Sequence, residues 1–212
     1  MKQKDTNYLT AAFHETVAQR FPAQAAELTA RYDARLAQLW AENADAPEAL
    51  RFHYGRQILP GIAVYETLQM VLPKEDALRT VHGYVEGRAH AARRRIDRLM
   101  RLPGLYLLTP GIFARMTKKL FGTTAGFAAT DRGTARGVWR IDMTRCPYHD
   151  ACARYGCPEL CHCFCDSDDI TYDGLHPKLL WRRTKTLGRG DDCCDFCLML
   201  RGKDRAARRA GS

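Results

Sequence analysis

The chain has no run of about 18 unbroken apolar residues, so no segment reads as a membrane-spanning helix. Its first 24 residues carry charges at Glu15 and Arg20 and lack the apolar core of about 7–15 residues that a secretory signal needs. A cytoplasmic location is therefore expected, and thiols there are normally reduced. Internal repeats and low-complexity tracts are missing. So are the signatures of helix-turn-helix, zinc-finger and RNA-binding modules. The formal net charge of +9 is concentrated in residues 88–101 and in the tail from residue 201. Without a recognition motif, these blocks read as a solvated helix face and a tail rather than as a nucleic-acid surface.

What the chain does have is cysteine, and all of it late. All nine cysteines fall between Cys146 and Cys197. With 212 residues a core can be buried without disulfide staples. Such clustering in a reducing compartment points to catalysis, metal binding or redox chemistry.

The hydrophobic pattern changes along the chain. Leu28, Tyr32, Leu36, Leu39 and Trp40 form one helical stripe. A second helix is expected to open near Pro60, and Pro73 stops it. The third starts with Lys74, Glu75 and Asp76, two acids suited to a helix N-terminus, and runs to about Met100. Residues 102–121 are the most apolar part and are expected to pack in the core, with a membrane-surface helix or a lid over an apolar pocket as alternatives. Beyond Gly122 the period becomes two: Trp139, Ile141 and Met143 alternate with Arg140, Asp142 and Thr144. Residues 179–187 read as a second strand, which turns at residues 187–192 into residues 193–200. The stretch at Phe127 supplies an edge strand. The expected fold is α+β. Residues 1–120 form a helical region, followed by residues 121–212 as a cysteine-rich region with a small antiparallel sheet and inserted helices, in one compact unit.

A helix over residues 158–173 would align Cys161 and Cys165 with Asp168 or Asp169 by three- and four-residue spacing. His162 falls on an adjoining line. In the last strand, Cys194 and Phe196 face one way and Cys193, Asp195 and Cys197 the other. The spacing Cys146-x5-Cys152-x4-Cys157-x3-Cys161-x-Cys163-x-Cys165 matches neither a zinc ribbon nor a ferredoxin run, and Cys194-x2-Cys197 is one isolated CxxC. His53, His149 and His162 read first as structural histidines, and Glu159 as an acid complementing a helix dipole.

The stretch ILPGIAVYETLQMVLPKEDAL resembles the helical signature of the L-2-amino-thiazoline-4-carboxylic acid hydrolase family. The later order also matches: Cys146, then Gly156 and Pro158-Glu159-Leu160, then Cys165-x2-Asp168, then RRTKTLGRGDDCCDF containing Cys194-Asp195-Phe196. The resemblance runs from about His53 to Leu198. It implies a hydrolase that opens a cyclic amidine to a carbamoyl-cysteine. Cys146, Glu159, Cys165, Asp168, Cys194 and Asp195 occupy matching positions. Cys152, Cys157, Cys161, Cys163, Cys193 and Cys197 exceed the pattern.

Opening such a ring requires a nucleophile at the amidine carbon and a proton for the departing nitrogen. Cys165 is the expected nucleophile, with Asp168 or Glu159 as acid–base partner. Cys146, Cys165 and Cys194 would alternatively hold zinc to activate water. Arg182 or Arg183 is suited to the substrate carboxylate, with Asp195 as a further substrate-binding candidate. The leading expectation is a hydrolase of a small cyclic C–N substrate. A cysteine-ligated metal or iron–sulfur protein comes second and a basic nucleic-acid-binding module third.

Overall fold

The computed structural model describes residues 7–202. Most of the basic tail, residues 203–212, lies outside them. The fold is α+β, with a helical first half and a four-stranded antiparallel sheet in the second. Among the described residues no helix is long and apolar enough to cross a membrane.

Helices α1 (Tyr8–Arg20), α2 (Ala25–Glu42), α3 (Glu48–His53), α4 (Leu59–Leu68) and α5 (Lys74–Met100) form the first half. Asn7 caps α1 by accepting the Leu9 amide at 2.9 Å, as short polar side chains do at an N-cap. The α2 stripe faces inward, with Leu28, Tyr32 and Leu39 buried. A π-turn at Tyr54–Ile58 links α3 to α4, whose first turn carries Pro60. Helix α5 has the bounds its sequence announces, Pro73 standing just before it. In its basic block, Arg93 pairs with Asp97 at 2.7 Å and donates to the Gly174 carbonyl at 2.9 Å. Part of the local charge therefore joins elements rather than facing solvent.

Helix α6 (Thr109–Leu120) departs from simple core packing. It buries Phe113, whereas Leu102, Leu107, Leu108 and Ile112 are exposed around its start. Its inward face, with Phe113, Met116 and Thr117, instead walls a cavity. Strands β1 (Ala128–Asp131), β2 (Val138–Arg145), β3 (Leu179–Arg182) and β4 (Cys194–Leu200) lie in the order β1-β2-β4-β3, all antiparallel. Between β2 and β3 come α7 (Pro147–Arg154), a 3-10 turn at Pro158–Leu160, and α8 (Cys161–Tyr172). The second inserted helix thus starts later than residue 158. Strand β3 is shorter than the apolar pattern suggests, because the Thr184 and Lys185 amides donate to the Asp195 carboxylate at 2.7 and 2.6 Å instead of continuing the ladder.

Two apolar clusters result. One holds the first-half helices together with Cys152, Cys157, Cys161, Cys163 and Phe164. The other covers the inner sheet face, with Trp139, Ile141, Met143, Cys194 and Leu198. Tyr148 packs against both. Four of the surplus thiols therefore serve as small apolar residues in the helical core.

Gly61 is where α4 meets α8. A Cβ there would lie 2.6 Å from Phe164 Cζ. Phe164 is buried and its ring stacks edge-on against Tyr148 at 5.5 Å, so it cannot swing away freely. In an unconstrained helix Gly→Ala would gain about 1 kcal/mol. Here overpacking costing about 1–3 kcal/mol opposes that gain. Gly61→Ala is expected to lower the urea midpoint; a raised midpoint would mean that α8 yields without cost.

Candidate active site

A cavity of about 450 Å³ lies between the helical core and the inner sheet face. Its walls are largely apolar and aromatic, from α5, α6, β2, β3 and β4. The polar groups lining it include Cys146, Cys165, Asp168, Arg183 and Cys194. These are drawn together where α8 packs beside the turn that follows β3.

Arg183 is the first residue beyond β3, and only 3% of its side chain is exposed. One guanidinium nitrogen, Nη2, donates to the Asp169 carboxylate and to the Cys165 carbonyl at 3.0 Å. Asp169 is further fixed by Trp181 Nε1, which donates to it at 2.8 Å. The Phe196 ring lies under the guanidinium at 5.5 Å. The other nitrogen, Nη1, is buried and makes no hydrogen bond; it stands 3.6 Å from Asp168 Oδ2. The indole nitrogen of Trp139, another cavity residue, is also buried without a partner. Such unpaired buried donors are costly, and a bound acceptor would remove the penalty.

Asp168 is among the residues lining the cavity, with largely apolar and aromatic neighbours and 39% of its side-chain surface accessible. Burial therefore dominates and pushes its carboxyl up to about 6. Arg183 opposes this rise and Asp169 adds to it. Arg183 itself keeps its charge: burial disfavours it, but Asp168 and Asp169 outweigh that effect.

The thiols are held protonated. The Cys165 thiol is pushed up first by its hydrogen bond with Cys161 and then by burial; Thr186 and Arg183 counteract this in part. Burial raises Cys146 to about 12, although the amides of His149 and Tyr148 at the start of α7 oppose it. Burial raises Cys194 as well. Cys194 accepts the Leu187 amide at 3.3 Å and donates to Thr186 Oγ1 at 3.6 Å. It thereby shapes the 3-10 turn Leu187–Arg189. Gly188 in this turn sits so close that a Cβ would meet Cys165 Sγ at 3.0 Å and Cys161 Sγ at 3.3 Å. The Gly in TLGRG is thus a matter of space: the turn closes directly over the thiols of α8.

Several candidates lie elsewhere. Arg182 pairs with Cys197 on the outer sheet face and is exposed, one residue out of phase with the cavity. Asp195 shares that outer register and organises the turn through Thr184 and Lys185. Glu159 does not line the cavity. It accepts from Tyr65 Oη at 2.6 Å and pairs with Lys74 at 2.8 Å. Burial opposes its ionisation, but these partners hold its carboxyl below the usual range. His53 lines the cavity but is bound to the Leu120 carbonyl at 2.7 Å and to Tyr148 Oη at 3.3 Å; burial lowers its pKa and keeps it neutral.

The cysteine set fits a shared metal poorly as arranged. Cys146, Cys165 and Cys194 line one cavity, yet their sulfurs are not all within 4.8 Å of one another. Among the described residues one trio of ligand atoms does meet that spacing: His82, His162 and Asp166, outside the cavity. His82 lies on α5 in a helical pattern that gives no sign of a partner about 80 residues later in the chain. Only the packing of α5 on α8 reveals it.

The family model described as L-2-amino-thiazoline-4-carboxylic acid hydrolase matches residues 51–198 of this chain. No curated protein matches it.

Proposed function

The chain belongs to the L-2-amino-thiazoline-4-carboxylic acid hydrolase family, and from that premise we propose that it hydrolyses a small cyclic amidine bearing a carboxylate, giving a carbamoyl amino acid. The observation carrying this reading is the juxtaposition, in one cavity, of an unpaired buried nitrogen of Arg183 with Asp168 and Cys165. With Nη2 held by Asp169 and the Cys165 carbonyl, the free Nη1 of Arg183 can donate a charge-assisted hydrogen bond to one oxygen of a substrate carboxylate. The aromatic walls suit a flat ring, and the volume suits a small ligand.

The roles follow from charge. A protonated amidine brings positive charge toward Asp168, which is ionised at pH 7 with its pKa near 6. That charge also favours development of a thiolate on Cys165, which the resting site suppresses. Cys165 attacks the amidine carbon as its proton passes to Asp168; Asp168 then protonates the departing ring heteroatom. Water, deprotonated in turn, adds to the same carbon and expels the Cys165 sulfur, which recovers a proton. The net change is one water added. Arg183 holds the substrate carboxylate and stays charged throughout.

Incubation with L-2-amino-thiazoline-4-carboxylate is expected to yield a product heavier by one water, identified by mass spectrometry. Because Asp168 must start as a base, kcat/KM is expected to rise as pH increases through about 6. A substrate returned unchanged across the pH range would sink the proposal. Turnover with no inflection near pH 6 would remove Asp168 from it.

A further inference from the structure

We infer that the crossing of α5 and α8 is a binding site for one divalent transition-metal ion, zinc being the chemical type that fits best, with His82, His162 and Asp166 as ligands. The inference is independent of the hydrolytic reading, since none of the three residues lines the cavity.

His82 projects from α5. His162 and Asp166 stand one turn apart on α8, so both can face the same point. His82 Nε2 lies 3.2 Å from Asp166 Oδ2, and His162 Nδ1 lies 3.7 Å from the same oxygen. With metal–ligand bonds of about 2.0–2.1 Å, tetrahedral donors sit about 3.3 Å apart. The two observed separations bracket that value, and all three ligand atoms lie within 4.8 Å of one another. Two imidazoles and one carboxylate make a donor set suited to zinc and neighbouring transition ions rather than to calcium or magnesium.

The surroundings agree. Glu86 Oε1 lies 3.6 Å from His82 Nδ1, the nitrogen that a ligating His82 leaves free. A carboxylate at that place orients a ligand histidine and fixes its tautomer. Arg189 Nη2 takes Asp166 Oδ1 at 3.1 Å and leaves Oδ2 turned toward the histidines. Arg189 is 65% exposed and its charge is screened by solvent. Beside the two histidines, two carboxylates, Asp166 and Glu86, face one guanidinium, Arg189. All three ligands are half-buried, so a fourth position stays open to water. The ion would pin α8, which carries Cys165 and Asp168, to α5. Through Arg189 it would also steady the turn over the thiols.

Nine cysteines demand a test that separates nitrogen and oxygen ligands from sulfur. Full-length protein stripped with EDTA would be titrated with Co²⁺, followed by competition with Zn²⁺. One equivalent should bind with visible d–d bands and without the strong near-ultraviolet thiolate-to-cobalt band. His82→Gln and His162→Gln should each abolish binding, Glu86→Gln should weaken it about 10-fold, and Cys165→Ser should leave it unchanged. Zn²⁺ should raise the Tm of the wild-type protein but not of His82→Gln. If a glutamine variant does not fold, Asp166→Asn carries the same expectation. A thiolate band, or binding that persists in both histidine variants, would overturn the site.

Discussion

Cys165→Ser is expected to lower kcat by at least ~10³-fold, the scale on which removing a nucleophile acts, while the fold survives. The Cys165 thiol lies between the Cys161 thiol, the Thr186 hydroxyl and the Gly188 backbone. A serine oxygen is smaller than sulfur and can still exchange hydrogen bonds with Thr186, so little packing is lost. It is nonetheless a far poorer nucleophile at the same place. Cys161 and burial already hold the thiol protonated, and a hydroxyl is harder still to ionise. Trapping with substrate should place an adduct on Cys165 in the wild-type enzyme and none at that position in the serine variant. Circular dichroism and the urea midpoint should match the wild type. Full activity in the serine variant would return Cys165 to the packing role that Cys152 and Cys163 play. Unchanged activity in Cys146→Ser would restrict the chemistry to α8 without harming the proposal, since Cys146 enters it only as a cavity wall.

Helix α5 and the alternation of β2 were readable because each is a local pattern: a proline before acids, then period 3.6; or apolar residues two apart. The alternation also put Cys194 and Asp195 on opposite faces, and the register Met143↔Cys194 and Asp142↔Asp195 makes the Cys194 face the inner one. Choosing between neighbours of one chemical kind was not readable. Arg182 and Arg183 are alike in composition; the pleat of β3 puts Arg183 on the face of Trp181 and Arg182 on the other, and only the packing of the sheet against the helices shows which face lines the cavity. Asp168 and Asp169 both suit a helix face near Cys165. Trp181 and Arg183 engage Asp169, which leaves Asp168 free in the cavity. Glu159 sits in the short Pro158-Glu159-Leu160 motif that drew attention to it, yet its partners Tyr65 and Lys74 come from the first half of the chain. In each case the deciding contact is long-range, and no local period encodes it.

Asp168→Asn separates catalysis from stability, and opposite effects are expected on the two. Asparagine preserves the shape but can neither accept nor deliver the proton, so kcat/KM should fall by about 10²–10⁴-fold, and the inflection near pH 6 should vanish from whatever activity remains. Stability should move the other way with pH. The folded carboxyl titrates near 6, above its ordinary value of 3.8, chiefly because burial penalises its charge. A group raised in this way favours the folded state fully below its unfolded pKa. That advantage is lost as pH rises through the folded pKa. The wild type therefore loses stability between about pH 4 and pH 6 through this residue, and the asparagine variant does not. The variant's urea midpoint, taken relative to the wild type's, should rise across that window and level off above it. Arg183 sets the limit of the gain, because it attracts the Asp168 carboxylate and loses that attraction in the variant, keeping only Asp169. A stability difference that is flat from pH 4 to 7 would show that Asp168 titrates normally and is no acid–base group. A difference that falls with pH would show that its ion pair with Arg183 outweighs the cost of burial. The expected pattern, a less active and relatively more stable enzyme above pH 6, is what a charge kept in an apolar cavity for chemistry produces.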